Sequence, residues 1–379
     1  MDLTYTPEEE AFRATVRAWI SANMPTQHDT RDLEAMRVWQ RRLYEAGYLG
    51  AGWPREHGGG ALSPMQQAIL NEELARANAP GPINAMAIWW VGPAIIKYGT
   101  EEQKRRFLAN ILNATEIWAT GYSEPGAGSD MAAAKTHAVR DGDDYVVNGQ
   151  KVWTTIAHIS DWYFVLVRTS TEGRKWAGLS LLLIDLKSPG IEVRPIRQIT
   201  GDCEFNEVFL NDVRVPVHNR LGAEGRGWEI VTSALINERS GIAGSIRADR
   251  ALERLVRLAR KRGLARDPLW RQRLSQLAIQ AQITKAAGLR MMTDQLQRRF
   301  NPHLSAAMKL SSTELTQRFS EVGIDLLGVS GSLWEEDGPD RGRWAYQFLY
   351  DRSMTIAGGT SEVQRNIVAQ RVLGLPRGT

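Results

Sequence analysis

The sequence predicts an α+β protein with a helical segment over 1–117, a strand-rich segment over 118–226 and a second helical segment over 227–379. Three observations predict it. Helix starts and apolar residues at helical spacing fill the first part. Between Trp118 and Pro216, short strand-like runs follow one another with no helix between them. From Gly227 to Leu375, long Leu-, Ala-, Arg- and Gln-rich stretches return to the helical pattern.

Thr6-Pro7-Glu8-Glu9 places a capping residue, a proline and two acids in the order that opens a helix. Phe12, Val16, Trp19 and Ile20 then supply a buried stripe. Ser63-Pro64 opens another helix, Thr100 with Gln103 a third, and Gly58-Gly59-Gly60 is a loop between the first helices and these. In the middle segment, Asp144 to Val147 and Lys151 to Thr154 flank Asn148-Gly149, which predicts a two-residue hairpin. Further strands are expected at 162–168, 179–185, 191–196 and 207–215, with turns at Pro189-Gly190 and Asn211-Asp212. Such strands suit a small barrel or two packed sheets. The last segment is broken at Arg266-Asp267-Pro268 and at Asn301-Pro302, and 334–340 reads as an exposed loop.

Bulk properties narrow the function. The 379 residues suffice for two or three domains with sizeable cores, and 43% hydrophobic with 24% charged residues is ordinary for a globular chain. One cysteine, Cys203, excludes an internal disulfide framework. The six histidines show no ligand spacing, so no metal is expected. No apolar run reaches the roughly 18 residues of a membrane span, and the acidic N-terminus is not a signal peptide, so a cytoplasmic protein is expected. The net charge is +4, yet Arg247 to Arg273 holds ten Lys or Arg against three acids. That stretch is either a solvated helix face or a contact for phosphates, of a cofactor or of a nucleic acid.

Three short segments carry chemistry. Tyr122-Ser123-Glu124-Pro125-Gly126-Ala127-Gly128-Ser129-Asp130 is a tight loop with two hydroxyls and exposed backbone N–H groups, which suits a turn, a flat polar ring or a phosphate. It lacks the third glycine and the βαβ frame of a dinucleotide fingerprint. Lys151-Val152-Trp153-Thr154-Thr155 reads by itself as a strand with a core tryptophan. Ile356-Ala357-Gly358-Gly359-Thr360-Ser361-Glu362-Val363-Gln364 runs a Gly-Gly turn into a helix, with Ser361 and Gln364 at capping-box spacing. A backbone bared by two glycines can present N–H groups to an anion or a polarised carbonyl.

In that order, together with Asp212-Val213-Arg214-Val215-Pro216, these segments resemble the signatures of the flavin-dependent acyl-CoA dehydrogenases over essentially the whole chain. The resemblance implies an N-terminal helical domain, a barrel-like β-domain and a C-terminal four-helix bundle. It implies FAD as cofactor, acyl-CoA as substrate, an electron-transfer flavoprotein as acceptor, and a homotetramer or a heterotetramer with a related subunit. By match, Trp153 packs near the flavin ring, Thr155 bonds near its reactive nitrogen, and Tyr122 and Ser123 contact the ring. Gly128 and Ser129 belong to the same loop, Ser129 towards CoA, and Thr360 and Glu362 face the cofactor.

The reaction needs a carboxylate base to remove an α-proton. Many members carry it where this chain has Gly358, so the base is expected at the family's other position, Glu238, beside Arg239 on the substrate side. Ala357, Gly358 and Gly359, with Gly241, Ala243 and Gly244, leave room for a bulky or branched acyl group, as in members acting on steroid side chains. The Phe-Gly of an inter-subunit flavin contact is missing after Arg260, and Asp325 stands where a glutamine is usual. Alternatives on the same scaffold are an oxidase, a flavin monooxygenase, or a non-catalytic subunit of a heteromer. Nucleic-acid binding through the basic stretch is the less favoured reading.

Overall fold

The computed structural model describes residues 5–25, 32–237, 242–297, 299, 301 and 303–376. Its helices are α1 (Pro7–Asn23), α2 (Leu33–Glu45), α3 (Pro64–Ala77), α4 (Gly92–Tyr98), α5 (Glu101–Leu112), α6 (Gly227–Asn237), α7 (Ile242–Lys261), α8 (Pro268–Leu296), α9 (Leu304–Leu327), α10 (Arg343–Tyr350) and α11 (Ser361–Ile367). Its strands are β1 (Trp118–Gly121), β2 (His137–Asp141), β3 (Asp144–Thr155), β4 (Trp162–Arg168), β5 (Leu179–Asp185), β6 (Ile191–Ile196), β7 (Phe205–Pro216) and β8 (Arg220–Leu221). The chain forms two compact units, one of Met1–Leu70 with Asn78–Glu238, the other of Asn71–Ala77 with Arg239–Thr379. No helix among the described residues is long and apolar enough to cross a membrane.

In the first unit the helix starts follow the sequence. Thr6 Oγ1 accepts from the Glu9 N–H at 3.2 Å while Glu9 returns a carboxylate to the Thr6 N–H at 2.8 Å. Ser63 with Gln66, and Thr100 with Gln103, repeat the arrangement. Buried amides then join helices to the sheet. Gln40 on α2 donates to the Ile111 and Leu112 carbonyls of α5 and accepts from the Asn84 N–H. Asn84 Oδ1 accepts from the Trp118 N–H at 3.0 Å and so fixes where β1 begins. Such groups must be paired once buried, which makes the relay a specific joint.

The strands form one eight-stranded sheet in the order β6-β7-β3-β2-β4-β5-β8, with β1 parallel to β4. Its core holds Tyr145, Val147, Tyr163, Val165, Leu182, Val208 and Val213. The predicted hairpin at Asn148-Gly149 is corrected. β3 runs straight through these residues, and the turn lies at Asp141 to Asp144, between β2 and β3. Asn148 instead exchanges two hydrogen bonds with Asp212 of β7. Gly149 is needed because a Cβ there would lie 2.4 Å from Thr136 Oγ1. The residue pair met a close-approach requirement, not a turn.

In the second unit, Leu255 and Ala259 of α7, Ala281 of α8, and Leu315, Phe319 and Leu326 of α9 share a core. α10 packs so closely on α9 that a Cβ at Gly323 would lie 2.2 Å from the Trp344 ring. Asp267 caps α8 through the N–H groups of Leu269 and Trp270, at the break read from Arg266-Asp267-Pro268.

Candidate functional site

β3 changes character at its end. Tyr145, Val147 and Lys151 are buried on alternate positions, and the register against β7 shifts between Lys151 and Thr154. The extra residue falls at Trp153, whose φ is +60° and whose side chain is 58% exposed. The side chain is therefore not the core residue that the strand pattern alone suggests. A bulky residue at positive φ costs on the order of 1–3 kcal/mol and persists only where its surroundings fix it. Here the residues that follow are anchored by three hydrogen bonds. Thr154 Oγ1 meets the buried Tyr163 hydroxyl at 2.8 Å, Asn206 donates to the Thr154 carbonyl at 2.9 Å, and Ile156 N–H donates to the Glu204 carbonyl. The strained backbone turns an indole outward, with the edge of Phe205 against it, ring centres 6.1 Å apart.

The loop after β1 lies against this strand. Val152 N–H donates to the Ser123 carbonyl at 3.0 Å. Glu124 and Ala127 exchange backbone bonds, which closes the loop tightly. Among the described residues the hydroxyls of Ser123 and Thr155 have no hydrogen-bond partner. A Cβ at Gly126 or Gly128 would meet no atom within 4 Å, so the fold itself does not require glycine at either position. Ser129 is exposed beside Asp130, which pairs with Lys175 at 2.7 Å. An exposed ring, two idle hydroxyls and a bare backbone form a surface suited to a flat polar ring.

Beneath the loop lies a pair that the sequence pattern did not single out. Lys151 is fully buried, and its ammonium donates to Glu124 Oε1 at 2.9 Å and to the Tyr122 carbonyl at 3.1 Å. Glu124 also accepts from the N–H groups of Lys135 and Thr136. Burial pulls the Lys151 pKa down to about 8 against the pull of Glu124. For Glu124 burial works upward, yet Lys151 and the Lys135 N–H hold the carboxyl below its usual range. The signal was present, because Lys151 continues the inward register of Tyr145 and Val147.

In the second unit, Ala357 and Gly358 are exposed, and Gly358 and Gly359 have φ of +65° and +93°. Lys309 donates to the Gly359 carbonyl at 2.7 Å, and Gln364 donates to both glycine carbonyls. The expected Ser361 cap is corrected: Thr360 is the N-cap of α11, accepting from the Val363 N–H, and Gln364 reaches the turn instead. Thr360 and Glu362 line an open pocket of about 540 Å³ with Gln317, Arg318 and Glu321. Glu362 is held below the usual carboxylate range by its own backbone N–H and the Thr360 hydroxyl, which suits an ionised contact and not a base.

Asp325 pairs with Arg273, so its charge is compensated inside the unit. Of the basic stretch, Arg250 bonds the Ala75 carbonyl and Arg262 the Leu327 carbonyl. Arg254 is pushed down by burial and then by Arg343. Glu238, Arg239 and Gly241 lie outside the described residues, and the surroundings of Ala243 and Gly244 are likewise not described.

Comparison with known proteins matches three family domains in order: acyl-CoA dehydrogenase N-terminal domain over residues 6–115, middle domain over 119–213 and C-terminal domain over 225–373. Acyl-CoA dehydrogenase IpdE1 of Mycobacterium tuberculosis is 41% identical over 381 residues, covering 97% of this chain and 98% of the relative. Among solved structures, the Tcur3481-Tcur3483 steroid ACAD superposes with a TM-score of 0.88 at 31% identity, covering 100% of both chains. The ChsE4-ChsE5 complex from Mycobacterium tuberculosis gives 0.87 at 34% identity, again covering 100% of both. With all three domains matched and a near full-length relative at this identity, the chain belongs to the acyl-CoA dehydrogenase family of FAD-dependent oxidoreductases.

Proposed function

We propose that the chain oxidises the Cα–Cβ bond of a bulky or branched acyl-CoA to the α,β-unsaturated thioester, in the cytoplasm, and hands the electrons to an electron-transfer flavoprotein. The observation that carries this is the strained, outward Trp153 beside the idle hydroxyls of Ser123 and Thr155. That surface fits an isoalloxazine ring. Ser123 and Thr155 would donate to the ring's edge, Trp153 would cover one of its faces, and Gly128 would let it approach the backbone. By the family match Thr360 and Glu362 would also contact a cofactor, where the Glu362 carboxylate can accept from ribose hydroxyls or an adenine amino group. FAD, when bound, accepts the hydride that leaves Cβ.

The chain's own part is the proton. Glu238 takes it from Cα, with Arg239 beside it on the substrate side, and the thioester carbonyl must be polarised by N–H donors for that proton to leave. Gly358 has no side chain to serve, and Glu362 is stabilised as the ion. Ala357, Gly358 and Gly359 would present a small-residue wall to the acyl group; a Cβ at Gly358 would meet nothing within 4 Å, whereas one at Gly359 would lie 2.5 Å from the Gln364 side chain. A thin alkyl chain would leave such space unfilled and orient poorly, whereas a ring system would fill it. The likeness to a steroid ACAD agrees with that substrate class. We read the chain as three domains, 1–117, 118–226 and 227–379, assembled as a homotetramer or as a heterotetramer with a related subunit. Asp325, where a glutamine is usual, is paired with Arg273.

The test is kcat/KM for a steroid-type and a branched acyl-CoA against butyryl- and octanoyl-CoA, with the partner subunit co-expressed. Preference for the bulky thioesters supports the reading, and preference for straight chains refutes the substrate class alone. Stoichiometric peroxide in place of transfer to the electron-transfer flavoprotein would assign an oxidase.

A further inference from the structure

Lys151 is buried and charged, is itself none of the proposed substrate or cofactor contacts, and spends one hydrogen bond on a backbone carbonyl. A buried ion pair is often no more stabilising than apolar residues of the same volume, so stability alone does not account for it. Its geometry does. Lys151 Nζ lies 3.1 Å from the Tyr122 carbonyl oxygen. The Tyr122–Ser123 peptide is trans and planar, so its C=O and its N–H point in opposite directions. A carbonyl held inward by the ammonium therefore turns the Ser123 N–H outward. Among the described residues that N–H has no acceptor, while its neighbours are engaged: Ser123 C=O takes the Val152 N–H, and Glu124 N–H goes to Ala127. Glu124 in turn fixes the ammonium and is itself fixed by two backbone N–H groups at 2.6 and 2.8 Å.

We propose that the Lys151–Glu124 pair is a positioning device: by holding the Tyr122 carbonyl inward, it aims the Ser123 N–H at a carbonyl or ring-nitrogen acceptor of the flavin. This rests on the FAD-binding reading above. The acceptor side of a flavin ring gains electron density on reduction, so a donor aimed there stabilises the reduced form. Lys151 thus sets both affinity and reduction potential without touching the cofactor.

The deciding variant is Glu124→Gln/Lys151→Met in the co-expressed complex, which removes both charges and leaves neither uncompensated. Wild type and variant are stripped of FAD and titrated with it, and the midpoint potential is measured on the reloaded proteins. The expected result is a cooperative unfolding transition near that of wild type, an FAD Kd raised about tenfold, the worth of one hydrogen bond, and a lower potential. Glu124→Gln alone loosens the hold on the ammonium but keeps its contact with the Tyr122 carbonyl, so its Kd and potential should fall between those of wild type and the double variant. A folded double variant with unchanged Kd and potential overturns the proposal and leaves the dehydrogenase reading standing. Wild type that takes up no FAD overturns both.

If the double variant does not fold, amide hydrogen exchange of wild type decides. Ser123 should be protected when FAD is added. Unchanged exchange at Ser123 in the loaded protein refutes the orientation.

Discussion

Gly149→Ala should destabilise the protein by about 2–6 kcal/mol, and the figure follows from two separate costs. The first is conformational. Gly149 has φ of +152°, outside the range of L side chains, and holding alanine there costs on the order of 1–3 kcal/mol. The second is steric. The new methyl would lie 2.4 Å from Thr136 Oγ1 and 2.7 Å from Thr136 Cα, and the second atom is backbone and cannot rotate away. Forcing a methyl into packed structure costs about 1–3 kcal/mol. Thr136 must then move, and its N–H is one of the donors that fix Glu124, so FAD affinity should fall as well. The assay is the urea midpoint of purified variants. Gly126→Ala is the control, because a Cβ there meets nothing within 4 Å and should change stability by less than about 0.5 kcal/mol. Thr136→Ala should relieve Gly149→Ala only in part, since the clash with the backbone of residue 136 remains. A Gly149→Ala midpoint equal to that of the control would refute the close-approach account of Asn148-Gly149.

Glu238→Gln should lower turnover by about a hundredfold or more while FAD is retained, the scale of losing a general base; flavin reduction at wild-type rate would reassign the base. Gly358→Glu in that background should not restore activity, because φ of +65° strains any side chain at that turn, and a recovered rate would contradict this. The buried Lys151 should leave a signature in stability against pH. With its folded pKa lowered to about 8, the folded state releases this proton before the unfolded state does. Between about pH 8 and the ordinary lysine range the unfolded chain binds more protons, so stability contributed by this group rises with pH. Wild type should gain stability over that window relative to Glu124→Gln/Lys151→Met, and parallel curves would show that the lysine titrates normally.

Much of the architecture was legible because its signals are local. Thr6, Ser63 and Thr100 announce helices with their own side chains, and 162–168 and 179–185 are apolar-rich runs that became β4 and β5. Asn148-Gly149 misled because a glycine that serves a turn and one that admits a neighbouring strand look alike until Thr136 is placed. Trp153 misled for a related reason: a one-residue register shift reverses which face a side chain takes, and apolar periodicity carries no trace of it. The cap of α11 moved by one residue because Thr360 and Ser361 both qualify by type, and the backbone at Thr360, φ −59° and ψ 161°, decides. The Lys151–Glu124 pair joins residues far apart in sequence, so no window could pair them, although the inward register of Lys151 marked it as unusual.

The most direct test of the account is anaerobic addition of acyl-CoA to the FAD-loaded complex while the visible flavin absorption is followed. A steroid-type or branched acyl-CoA should bleach the flavin and yield the α,β-unsaturated thioester in equal amount, and the Glu238→Gln protein should bind the same thioester without bleaching. A loaded complex that stays fully oxidised against bulky, branched and straight-chain acyl-CoAs alike would contradict the claim that this chain is a working dehydrogenase.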